Sequence, residues 1–199
     1  MTTRRTKGKE REGLLVEAAG RAIAERGLSN VRVADIARIA GMSAGHVTYY
    51  YPSKRDLLMR AVTASEESLM AQVTLELSAI PDPWDRLDRL VELSASDGRS
   101  DPGWVLWFQV WLEAALDPEV ARCHDALDGR WREVLAGVIR YGVERGCFAA
   151  PDVGASALLL SALIDGLSIQ LTLGAGSLTR EVMLETLRGA VRTHLTPHA

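Results

Sequence analysis

Two cysteines, Cys123 and Cys147, are too few and too isolated in 199 residues for a disulfide framework or a zinc site. They are expected to pack as small hydrophobes in a reducing compartment. The short motifs of common enzyme chemistries are missing too: the chain has no G-x-S-x-G, no P-loop, no glycine-rich dinucleotide turn and no metal-spaced cluster. Enzymatic activity, a cofactor and a metal site are therefore not expected. His194 and His198 stand four apart, but Pro197 breaks the helix between them. The polar, basic start MTTRRTKGKER lacks the apolar core that secretion needs, which points to the cytoplasm. Residues 153–176 are the one stretch long enough to raise a membrane span. Asp165 at its centre would cost about 2.5–3.5 kcal/mol on insertion, and Ser161, Ser168, Gln170 and Thr172 dilute it further, so no membrane is expected. No alternating β pattern and no internal repeat is present.

Positive charge is scarce overall but concentrated where it occurs. The net charge is −3, yet residues 1–60 carry 12 Lys and Arg against 6 Asp and Glu, and the remainder carries 11 against 20, a balance of −9. A basic module that meets phosphates, joined to an acidic module with another task, fits that asymmetry. Within the basic part, Val33, Ile36, Ala37 and Ala40 fall at i, i+3, i+4 and i+7, giving a short helix with one small apolar face. Gly41 ends it, and Ser43 is placed to cap a second helix bearing Ala44, Gly45, His46, Thr48 and Tyr49. Helix, glycine turn and short helix make a helix-turn-helix, and small hydrogen-bonding side chains let a recognition helix approach base edges in a major groove.

These residues resemble the TetR family of bacterial transcriptional repressors. That family's S-x-G-x-(L/I)-Y-x-(Y/H)-F followed by x-S-K and an acidic-apolar run is matched by Ser43, Gly45, Val47, Tyr50, Tyr51, Ser53, Lys54, Asp56 and Leu57. Thr48 departs from the usual Tyr, and Arg32 stands where a Thr usually caps the preceding helix; Asn30 is the alternative cap. The resemblance implies DNA contacts from Arg32, Ser43, Ala44, Gly45, His46, Thr48, Tyr49, Tyr50 and Lys54, with Tyr51 as a packing aromatic. Residues 8–68 then form the DNA-binding domain and 69–199 an effector-binding and dimerisation domain. A basic arm at residues 1–9, with Arg4, Arg5 and Lys7, is either a solvated tail or a further backbone contact.

The expected fold is all-α with about nine helices. Helix 1 covers residues 10–26 on the stripe Leu14, Leu15, Ala18, Ala19, Ala22 and Ile23, and stops at Gly27. Pro52 and Ser53 separate helix 3 from a long helix 4 reaching about Ala79. Helix 5 follows Pro83, helix 6 carries Trp104, Trp107, Phe108 and Trp111 on one face, and Asp117-Pro118 breaks it from helix 7, which ends at Gly146. Helix 8 is apolar on two faces, with Leu158, Leu159, Ala162, Leu163, Gly166 and Leu167 on one and Leu160, Ile164 and Leu171 on the other. Helix 9 covers about 179–195. The C-terminal segment resembles the BetI-type branch of the same family through W-x-x-A-x-x-(D)-P-E, Trp-Arg before a long apolar run, G-x-x-x-G-x-F and D-G-L.

Two uses of the helix 6 aromatics stay open. Rings at helical spacing serve as core, and they also line effector sites, where Trp faces attract cations and Glu113 or Asp165 would add a counter-charge. The resemblance to a choline-responsive branch leans towards a cationic amine as effector. Asp165 serves equally as a satisfied interface residue, and His124 reads as a hydrogen-bonded core histidine. A helix apolar on both sides needs cover on both, so a homodimer is expected through Leu158, Leu159, Ala162, Leu163, Gly166, Leu167, Met183 and Leu187. The partners are thus an operator in double-stranded DNA, a second copy and a small molecule. The competing reading is an architectural or adaptor protein whose C-terminal half only dimerises.

Overall fold

The computed structural model describes residues 2–150, 152–174 and 176–196, with side chains from Lys9 onward. Pro197 and His198 fall outside it, as do the side chains of Arg4, Arg5 and Lys7. Among the described residues there are nine α-helices, one short 3-10 turn and no strand. In order these are α1 (Thr2–Arg26), the turn (Leu28–Asn30), α2 (Val33–Ala40), α3 (Ala44–Tyr50), α4 (Lys54–Ser78), α5 (Pro83–Ser94), α6 (Pro102–Leu116), α7 (Pro118–Glu144), α8 (Val153–Leu173) and α9 (Arg180–Leu195). The first helix starts eight residues before the expected position, because Arg, Lys and Glu are straight-chain helix formers that continue it without an apolar face.

The chain divides into two compact units, Met1–Ser68 with Phe108–His124, and Leu69–Trp107 with Asp125–Ala199. Helices α4, α6 and α7 each contribute residues to both. In the first unit Leu15, Ala18, Ala19 and Ala22 of α1 are buried with Ile36 of α2, Val47 of α3, Leu57 of α4 and Val110 of α6. Leu14, expected on the same stripe, is half exposed.

The second unit is built on a core from five helices, including Leu77 of α4, Leu90 of α5, Ile139 of α7, Leu160 and Ile164 of α8, and Met183 and Leu187 of α9. Helix starts are fixed locally: Asp82 accepts from Trp84 and Asp85 N–H, Asp152 from Ala155 N–H, and Thr179 from Val182 N–H. Helix α8 is long and apolar enough to cross a membrane by length and composition alone. Its hydroxyls are nevertheless engaged inside the protein: Ser168 Oγ accepts Ser96 N–H at 3.1 Å, Thr172 Oγ1 lies 2.8 Å from Ser96 Oγ, and Ser156 Oγ lies 3.0 Å from His194 Nε2. Along α5 and α9, Arg192 pairs with Asp88 at 3.2 Å and Arg188 pairs with Glu92, so the acidic character of this unit is partly neutralised by its own last helix.

Candidate functional site

The chain from Arg26 to Lys54 is held by short-range bonds that leave one surface free. Asp35 accepts the Arg32 N–H at 3.0 Å and opens α2 from inside its first turn, since an arginine has no acceptor with which to cap. Asn30 does not take over that role; its Nδ2 donates to the Arg26 carbonyl at 3.2 Å and finishes α1 instead. Gly41 closes α2 in the left-handed region, with φ 65°. Ser43 then caps α3: its Oγ accepts the His46 N–H at 3.2 Å and lies 3.1 Å from His46 Nδ1.

Within α3 only Val47 is buried. Ser43, Ala44, Gly45, His46, Thr48 and Tyr49 are all exposed and Tyr50 is half-buried, so none of the α3 residues expected to read DNA is buried. Tyr49 is 79% exposed, with its ring at right angles to Tyr50 and the centroids 5.3 Å apart. Thr48 Oγ1 donates back to the Ala44 and Gly45 carbonyls, each at 3.2 Å. Arg32 and Lys54 are exposed as well, and Lys54 Nζ donates to the Val31 carbonyl at 2.8 Å, which fixes its charge at the entry to α2. Tyr51, expected to pack, is half-buried; that burial pushes its phenol up from the ordinary value, against the pull of Arg60.

The far end of α6 grips this unit in a way that sequence reasoning missed. Gln109 Oε1 accepts the Ser29 N–H at 3.2 Å across 80 residues, and the Gln109 side chain stands 3.3 Å from where a Cβ on Gly27 would be. Gly27, at φ 76°, therefore serves both the turn and this approach. Arg55 at the start of α4 pairs with Asp117, whose carboxylate also caps α7 by accepting from Glu119 N–H at 2.8 Å and Val120 N–H at 3.3 Å. Those backbone donors, with Arg55, hold Asp117 below the usual carboxylate range against partial desolvation. Asp117-Pro118 was legible as a helix break, but no local pattern announces its partner. Glu113, a candidate effector carboxylate, lines a cleft of about 520 Å³ shared with Lys54, Arg55 and Met59.

Trp104, Trp107, Phe108 and Trp111 lie along α6, each half-buried, and only Val110 of that helix is fully buried. Phe108 and Trp111 are tilted at 40° with centroids 5.7 Å apart. Trp111 Nε1 donates to His124 Nε2 at 2.9 Å, so His124 is hydrogen-bonded as expected but half-buried rather than in the core. Asp165, half-buried on α8, is pushed up to about 6 by desolvation, with Arg132 opposing the shift. A separate cavity of about 410 Å³ in the second unit is lined by Leu77, Arg86, Arg130, Glu133 and Val134 among others.

The two apolar faces of α8 have different fates. Leu160, Ile164 and Leu171 are buried in the core, whereas Leu158 is 56% and Leu159 42% exposed and Ala162 is exposed beside them. Leu163, Gly166 and Leu167 are half-buried along the same side. Met183 and Leu187, grouped with that face in the sequence reading, are instead buried within the chain's own core, because α9 turns that stripe onto α5 and α8. They offer nothing to a second copy.

Known proteins agree with both halves of this description. Residues 15–61 match the family described as bacterial regulatory proteins, tetR family, and residues 83–196 match the BetI-type transcriptional repressor, C-terminal family. The HTH-type transcriptional regulator BetI of Agrobacterium fabrum is 31% identical over 169 residues, 84% of this chain and 80% of that protein. That of Rhizobium meliloti is 28% identical over 187 residues, 93% and 89%. The crystal structure of a transcriptional regulator from Saccharomonospora viridis in complex with choline superposes with a TM-score of 0.80 at 34% identity, covering 96% of this chain and all of that one. These relatives are regulators rather than enzymes. The helix-turn-helix in the first unit and the BetI-type match across the rest establish that the chain belongs to the TetR family of bacterial transcriptional regulators.

Proposed function

We propose that this regulator binds a near-palindromic operator as a homodimer, acts as a repressor, and is released by a small cationic effector. The observation that carries the reading is α3 itself: one buried anchor, Val47, with the side chains expected to read DNA left exposed apart from a half-buried Tyr50. A two-fold dimer presents two such helices about 34–36 Å apart, or a multiple of that, which is why the site should be a near-palindrome. Residues 8–68 serve DNA and 69–199 serve the effector and the dimer, in a cytoplasmic, non-enzymatic protein.

For the effector, the α6 rings supply faces that attract a cation, worth about 0.5–2 kcal/mol per well-placed contact. Glu113 and Asp165 are put forward separately as counter-charges; Asp165, titrating at about 6, is ionised at neutral pH. The choline held by the Saccharomonospora viridis protein supports an amine as the class. An effector lowers DNA affinity only by its preference for the conformation that binds DNA less well, and α4, which contributes to both units, is the element proposed to carry that change.

The test pairs two assays. Selection from random duplex DNA should return a near-palindrome, and His46→Ala and Tyr49→Ala should weaken binding to it. A thermal-shift screen should then show stabilisation by choline and related amines but not by organic acids, and Trp107→Ala and Trp111→Ala should abolish it. Failure to enrich any sequence would overturn the operator reading. Stabilisation by acids alone would remove the cationic effector, and no hit in any class would favour a purely dimerising C-terminal half.

A further inference from the structure

We infer that Ser43 fixes the proton of His46, turning that imidazole into an obligate donor that reads guanine in each operator half-site. The inference rests on the DNA-binding reading of α3 and names what one of its residues recognises.

The geometry is a three-atom chain. Ser43 Oγ accepts the His46 backbone N–H at 3.2 Å, and the same oxygen stands 3.1 Å from His46 Nδ1. A serine hydroxyl has one proton and two lone pairs. Two arrangements satisfy the distances. In one, both the amide N–H and Nδ1–H converge on Oγ; in the other, the amide donates to Oγ and the hydroxyl donates onward to Nδ1. The second wins on cooperativity, since an oxygen that accepts a hydrogen bond becomes a better donor, whereas two donors converging on one oxygen weaken each other. The onward chain also uses the hydroxyl proton, which the converging one leaves without that partner. Neutral His46 then carries its proton on Nε2, the ring nitrogen away from Ser43. The hydrogen bond made by one ring nitrogen sets the state of the other.

His46 is exposed, next to Gly45 and Ala44, whose small side chains let the backbone come close to a groove. An Nε2–H needs an acceptor. Guanine alone shows only acceptors, N7 and O6, on its major-groove edge; cytosine shows a donor there, adenine sets a donor beside its N7, and thymine sets a methyl beside its O4. Ser43 is thus a positioning residue that acts through His46, over and above capping α3.

Nitrogen-15 NMR of the full-length protein should show the Nε2–H tautomer at His46, held in Ser43→Thr, which keeps the hydroxyl, and lost to a mixture in Ser43→Ala. Random-duplex selection should place a guanine at one position per half-site, preferred about tenfold over cytosine, the lower part of the range for a specific base contact. His46→Asn should move that preference to adenine, whose N6 and N7 match an amide. Ser43→Thr should retain the guanine and Ser43→Ala should flatten the position, a change in preference that loss of a cap alone would not produce. An Nδ1–H tautomer in the unmodified protein overturns the inference, as does a selected sequence that His46→Asn leaves unaltered. In the second case the protein still selects an operator, so the general DNA-binding reading survives; a protein that selects no sequence ends both.

Discussion

Asp165 is the residue at which the fold works against itself. Its carboxyl is half-buried on an apolar helix, and desolvation lifts its folded pKa to about 6 despite Arg132. In the unfolded chain the same group titrates near its ordinary value, so between roughly pH 4 and pH 6 the folded state binds more protons. Stability attributable to this site is therefore highest below that window and falls as pH rises through it. Asp165→Asn should raise the melting temperature at pH 7, and the gain should vanish near pH 4, where both proteins are neutral at this position. Thermal unfolding as a function of pH checks this; a gain that persists at pH 4 would place its origin elsewhere. The sequence marked Asp165 as anomalous because a charge in an apolar run is visible locally. It gave no view of Arg132, which comes from another helix.

At the scale of elements, what was legible is what the chain decides within four residues. Gly27, Gly41, Ser43 and Ser53 stop or start helices as their spacing suggested, because caps are made by neighbours. What was not legible is set by distant partners: Gln109 on the turn before α2, Asp117 on Arg55, and the choice of which α8 stripe faces inward. Gly142 falls between the two, with its partner Phe148 only six residues on but beyond the helix end. It sits in α7, and a Cβ there would lie 2.1 Å from the ring of Phe148, which is buried against Trp84 with centroids 4.4 Å apart. The G-x-x-x-G-x-F pattern shows Gly142 and Phe148 six residues apart, but not that the chain turns the ring back onto the glycine. Gly142→Ala should therefore cost stability, by about 1–3 kcal/mol, as overpacking does, although alanine is the better helix former. Gly137→Ala one turn and a half earlier, where a Cβ meets nothing within 4 Å, should be neutral or stabilising. Chemical denaturation of the two variants separates the explanations: equal effects would mean that helix propensity governs, not the aromatic contact.

At the scale of the whole molecule, an apolar surface along α8 is left uncovered among the described residues. Leu158, Leu159 and Ala162 are exposed, with Leu163, Gly166 and Leu167 half-buried beside them. Contiguous apolar patches on a soluble surface mark an interaction site, and in a homodimer the same patch meets its own copy. Ala162 and Gly166, four residues apart, keep one line of this face free of bulk, as close packing of two such helices would require. A charge placed there stays solvated in a monomer but is desolvated in a dimer, which makes the face testable without disturbing the core. Leu158→Lys together with Leu159→Lys should leave helix content and urea unfolding of the monomer intact while sedimentation shifts to the monomer mass at micromolar concentration. Operator binding should fall at least a hundredfold, since one recognition helix then meets each half-site alone, and single half-site binding should change little. Met183→Leu, inside the chain's own core, should leave the assembly unchanged. A double-lysine protein that still sediments as a dimer would move the interface away from α8, and a dimer that forms without operator affinity would separate assembly from DNA recognition.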